Sequence, residues 1–136
     1  MENRYRVREI EQFDVTRNLV LQSLNSGREY LVFDDSDILG DNQFSFMKRD
    51  GEYECSIGIF GELAPTGEEF RVTGHATIGH MKLIQLQSGM GDRFYLPQSQ
   101  EAAKSRTIHV TVLRYDLLAV DGEINDRSIE GITGRK

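Results

Sequence analysis

One cysteine, three histidines and a dense run of carboxylates are the side chains here with chemistry to offer. The stretch Asp34-Asp35-Ser36-Asp37-Ile38-Leu39-Gly40-Asp41-Asn42 has the composition of a calcium loop. Counted from Asp35, however, the third ligand position falls on Leu39 and the bidentate position on Phe46, and neither carries the oxygen a hard cation needs. The run reads instead as a solvated turn in which Asp35 or Ser36 caps the segment that follows. His75, His80, His109 and Cys55 hold atoms that suit zinc. A step of five residues puts His75 and His80 on opposite faces of a strand, and neither Cys-x-x-Cys nor His-x-x-x-His spacing supplies a ligand pair. No metal is expected, and the histidines read as ordinary polar residues.

Catalysis is as poorly supported. A nucleophile needs an adjacent base, but Cys55 lies on the apolar parity of a strand and no serine sits in a Gly-x-Ser-x-Gly elbow. Carboxylates are so numerous that some pair will lie close by chance, which gives no ground for acid–base hydrolysis. Gly58-Ile59-Phe60-Gly61 and Gly89-Met90-Gly91 lack the remaining elements of a phosphate or dinucleotide loop, so no cofactor is expected. The sequence reads as non-enzymatic.

Those side chains would be positioned by strands. In Glu52-Tyr53-Glu54-Cys55-Ser56-Ile57-Gly58-Ile59-Phe60-Gly61, the residues Tyr53, Cys55, Ile57 and Ile59 share one parity and Glu52, Glu54 and Ser56 the other, the pattern of a half-buried core strand. Residues 4–13 begin with Arg4, Arg6 and Arg8 opposite Tyr5 and Val7, then slip to a step of three at Ile10 and Phe13, which predicts a bulge. Residues 19–24 and 29–33 flank the turn Asn25-Ser26-Gly27-Arg28 and complete a meander. Residues 38–47 hold enough apolar side chains for one short helix or packed loop plugging an end of a barrel. Residues 62–69, around Pro65 and Gly67, read as a surface loop. Further strands are expected at 70–73, 82–87, 93–96, 107–113 and 117–120, while 74–79 is ambiguous.

The expected fold is all-β in a single domain of 136 residues, long enough to bury a core without disulfides or metal. A mobile connection is expected at 97–106 and a loose tail from about residue 125. The order of meander, plug, core strand and closing strands resembles an oligonucleotide/oligosaccharide-binding (OB) barrel with extra strands. That resemblance covers roughly the first half of the chain, rests on pattern alone and leaves function open.

Function must therefore come from surface chemistry. The formal charge is −6, which argues against a surface dominated by phosphate contacts. Between Asp35 and Glu69 there are 9 acidic and 2 basic residues. This band, with Asp35, Asp37, Asp41, Glu52, Glu54 and Glu62 around an outward Phe60 as apolar anchor, is the first candidate site, for a basic protein partner. The alternative is single-stranded nucleic acid, held by Arg4, Arg6, Arg8, Arg17 and Arg28 with Tyr5, Phe13, Tyr30 or Phe33 for stacking. Parity weakens it, because Tyr5 points away from the three N-terminal arginines. A lone buried thiol suits a reducing compartment, and the sequence has neither an apolar leader nor a run long enough to cross a bilayer, so a cytoplasmic protein with no membrane partner is expected.

Overall fold

The computed structural model of the chain describes residues 3–36, 43–97 and 105–125. Every regular element among them is a strand: β1 (Arg4–Gln12), β2 (Arg17–Ser23), β3 (Glu29–Asp34), β4 (Glu52–Ile78), β5 (Met81–Ser88), β6 (Arg93–Pro97), β7 (Thr107–Val120) and β8 (Glu123–Ile124). The protein is all-β, and the short helix expected within 38–47 is corrected in the part described. Residues 43–46 form a turn closed by Met47 N donating to Phe44 O at 3.0 Å. The physical reason is tertiary: Arg17 Nη2 on β2 donates to Phe44 O at 2.5 Å and ties this turn to the ring. One turn is enough to bury both Phe44 and Met47. Residues 37–42, most of the expected mobile connection and the tail beyond 125 lie outside the described residues.

The pairings β1–β2, β2–β3, β1–β4 and β4–β7 are antiparallel and β3–β7 is parallel, which returns to the starting strand as a ring of hydrogen-bonded strands. Alternation does the sorting. Tyr5 and Val7 of β1, Leu19 and Leu21 of β2, Tyr30 and Val32 of β3, and Cys55, Ile57 and Ile59 of β4 all point into one core. The bulge in β1 lies between Val7 and Glu9, where the hydrophobic period slips.

The core strand does not stop at Gly61. Residues 62–69, expected as a loop, belong to β4, because Leu63 and Glu68 both stand opposite Val110 and the residues between them bulge out of the ladder. Pro65 falls in that bulge, where no ladder N–H is required of it. A Cβ on Gly61 would overlap Thr111 O, and one on Gly67 would overlap the Val110 carbonyl group, so two glycines let β4 cross β7 at main-chain contact. The two strands expected at 107–113 and 117–120 are likewise one strand, β7.

Beyond Phe70, β4 forms a hairpin with β5, and β5 pairs with β6. β6 returns to β4 at Gly58↔Tyr95, where a Cβ on Gly58 would lie 2.9 Å from Leu118 Cδ1. Phe94 enters the ring's core, its centroid 5.1 Å from Tyr30, 5.3 Å from Tyr115 and 6.0 Å from Phe70.

Candidate binding face

The arginines of the nucleic-acid alternative are spoken for. Arg6 Nη2 meets Glu52 Oε2 at 2.5 Å, Arg17 Nε meets Asp34 Oδ2 at 2.7 Å, and Arg28 Nη1 meets Glu68 Oε2 at 3.4 Å. Arg8 lies 4.0 Å from Glu29, and Arg4, half-buried on β1, stands opposite Glu54. These contacts also neutralise part of the acidic band. Glu54 and Glu62 are exposed, Asp35 accepts from Asn125 Nδ2 at 2.8 Å, and Asp37 and Asp41 lie outside the described residues. Of its described members, Asp35 lies just past β3 and Glu52, Glu54 and Glu62 lie along β4.

The reactive side chains are not assembled either. Among the described residues no group of three or more His, Cys, Asp or Glu could hold a metal ion. His75 and His80 are exposed at the distal hairpin, and His109 Nε2 lies 3.7 Å from Glu69 Oε1. Cys55 is buried, and burial pushes its thiol up to about 12, with the Asp121 carboxylate adding to the rise. In the folded protein at pH 8 it is expected to react with a thiol reagent at least 100-fold more slowly than in urea. Comparable rates in the two states would show that the ring admits solvent at β4.

The most unusual buried polar group is Asp92, which is 2% exposed. Its carboxylate accepts from Ser23 Oγ at 2.6 Å, Ser26 Oγ at 2.6 Å, Tyr30 Oη at 2.5 Å and Asn25 Nδ2 at 3.3 Å. Burial works against the charge, but the bonds from Ser23, Ser26, Tyr30 and Asn25 outweigh it and hold the carboxyl below the usual range. With both oxygens occupied by neutral donors, Asp92 is a structural tie between the 25–27 turn and the 89–91 turn, not a base awaiting a substrate.

The surface feature that stands out lies where β3 and β7 separate. Only Val32↔Tyr115 and Phe33↔Asp116 pair across this seam, and the strands part on the N-terminal side of both. A cleft of about 380 Å³ opens there, with Asn18, Leu31 and Phe33 on one wall and residues 112–115 on the other. Leu31 is 60% exposed, Leu113 59% and Phe60, on the neighbouring β4, 54%. Arg114 bridges the strands: its guanidinium lies 5.0 Å from the Phe33 centroid and 4.9 Å from that of Phe60. Asp116 holds the same guanidinium through Nε at 2.6 Å and Nη2 at 3.3 Å, so the arginine is fixed in place and its charge compensated.

Phe60 thus faces outward, and residues 62–69, expected as a surface loop, continue its own strand. Leu31, Leu113 and Arg114 were not singled out by the sequence. A signal existed in the apolar run Tyr30-Leu31-Val32-Phe33 and in the adjacent pair Val112-Leu113, where one side chain too many for a single buried face must emerge somewhere. By architecture the molecule is an all-β protein built on a ring of hydrogen-bonded strands. Compared with protein families, with curated proteins and with solved structures, the chain matches none.

Proposed function

We propose that this chain is a non-enzymatic binding module whose partner is another protein, docked on the Leu31–Phe33–Phe60–Leu113–Arg114 face and favoured by the surrounding negative charge. In this reading the ring is an OB-like barrel with an added ribbon. Its five strands, partly open between β3 and β7, suit such a barrel, and the face lies on β3, β4 and β7 around that opening, the third strand being among those such barrels use for ligands. The observation that carries the proposal is the pair of rings clamped around one compensated arginine, flanked by two leucines more than half exposed. Exposed apolar patches of this kind mark interaction sites, and aromatic and arginine side chains dominate interface energetics. The site differs from the acidic band alone: Phe60 and Glu62 belong to it, whereas Glu52 is engaged by Arg6. The lone buried thiol supports placing the protein in the cytoplasm.

Single-stranded nucleic acid remains the second reading because two rings on an OB-like face could stack bases. Four of its five arginines already face carboxylates within 4.0 Å, which leaves few charges for phosphates. One experiment separates the two. Tagged protein and its Phe60→Ala variant are used to capture proteins from native lysate, and each is titrated with labelled dT15 at two salt concentrations. Phe60 is a surface residue, so the variant should keep its stability within about 0.5 kcal/mol. The expected result is a stoichiometric protein whose affinity falls about 30-fold in the variant, with no binding of dT15. Equal capture by both forms would overturn the face, and tight, salt-sensitive dT15 binding lost in the variant would replace the protein reading with the nucleic-acid one.

A further inference from the structure

We infer that the seam between β3 and β7 is a strand-addition site, where an extended basic segment of the protein partner pairs its main chain with the open edge of β7. The inference rests on the reading of this face as the binding surface and adds what binds there and how. Residues 107–114 of β7 pair with β4 along one side. On the other side, among the described residues, the ladder begins only at Tyr115. An extended strand with an open side presents a row of N–H and C=O groups that another chain can take up.

Proteins usually guard such an edge, as this chain does on β1. The main-chain bonds of β1 on its β4 side end with Val7, which pairs with Asp50 and Gly51, and the stretch that follows carries Arg8, Glu9 and Glu11. The edge of β7 reads Thr107-Ile108-His109-Val110-Thr111-Val112-Leu113, with no proline, no lysine and no carboxylate. It has the composition of a strand meant to be covered. Leu31 and Leu113 offer apolar contacts on either side of it.

Charge selects the occupant. Arg114 is compensated by Asp116, Arg28 by Glu68 and Arg8 by Glu29, while Arg71, opposite Thr107, bonds the neutral Gln87 and the exposed Arg106 stands at the N-terminal end of the edge. Glu62, the cross-strand neighbour of Thr111, is exposed and has no ion-pair partner among the described residues. With the chain at −6 overall, a basic segment is attracted, whereas a second copy or an oligonucleotide brings like charge.

The test uses the full chain and a capped peptide alternating Lys and Val over eight residues. Two isomers carry N-methyl groups on every Val or on every Lys, each of which removes the N–H donors from one edge of an extended peptide and leaves the side chains alone. The expected result is saturable binding of the parent, a loss of at least about tenfold for one isomer, and less than about twofold for the other. Amide exchange at residues 107–114 should slow with the parent peptide. No binding of the parent overturns the inference, as does equally tight binding of a Glu–Val counterpart. Equal binding of both isomers overturns strand pairing; if Phe60→Ala then still weakens the parent, the face stands and only its mode of recognition falls. Protection of the same amides by dT15, or by dimerisation without peptide, assigns the edge to a different occupant and also overturns it.

Discussion

Replacing Asp92 with alanine is expected to cost the fold about 3 kcal/mol or more in urea denaturation, because Ser23, Ser26 and Tyr30 each lose the acceptor their hydroxyl reaches. Each buried donor left without a partner carries a desolvation penalty of roughly 1–3 kcal/mol. Asp92→Asn keeps the shape and should lose less, since one amide oxygen still accepts. The two variants also separate charge from geometry. In the folded protein the carboxyl titrates below its unfolded value, so the unfolded state binds more protons as pH falls. The stability Asp92 supplies is therefore fully present above about pH 4, the unfolded carboxyl value, and declines as pH drops through the lower folded one. Asp92→Asn should flatten that part of the acid-denaturation profile. An unchanged profile, or a loss under 1 kcal/mol for Asp92→Ala, would mean that water replaces the carboxylate at no cost and that the tie is incidental.

Phe94→Ala is the second large effect, expected at about 3–5 kcal/mol. Phe94 is fully buried and meets the rings of Tyr30, Tyr115 and Phe70, so its removal leaves a void among side chains from β3, β4 and β7. Phe94→Leu should recover about half of the loss by refilling most of the volume. Because Phe94 and Asp92 fasten the same segment, the double variant Phe94→Ala with Asp92→Ala should lose less than the sum of the single losses. Strict additivity would show that the turn at 89–91 and β6 are held independently of each other.

The meander was legible because its information is local. Tyr5, Val7, Leu19, Leu21, Tyr30 and Val32 alternate within short runs, and the slip at Ile10 marks the bulge directly. What escaped notice depends on partners far along the chain. Pro65 and Gly67 carry the marks of a loop, yet they form a bulge inside one strand, because β7 pairs with β4 on both sides of them and Gly67 lies against its main chain. Gly91-Asp92 looks like an ordinary turn, and only the fold reveals that the carboxylate reaches Ser23, 69 residues away. At the candidate face, the parity of Phe60 pointed outward from the start. The arginine that fixes its ring could not be anticipated, since Arg114 reaches it only through the β4–β7 register.

The length of β4 has a consequence for how the molecule is made. Its first half is an edge of the meander until β7 arrives, and Cys55 waits for Val120 while Phe60 waits for Arg114. Closure therefore depends on contacts between segments separated by nearly half the chain, the kind of topology that folds in milliseconds to seconds rather than microseconds. On the ribosome, the buried segment of β4 emerges well before the strand that covers it. During that interval its exposed side is a natural place for a chaperone to bind.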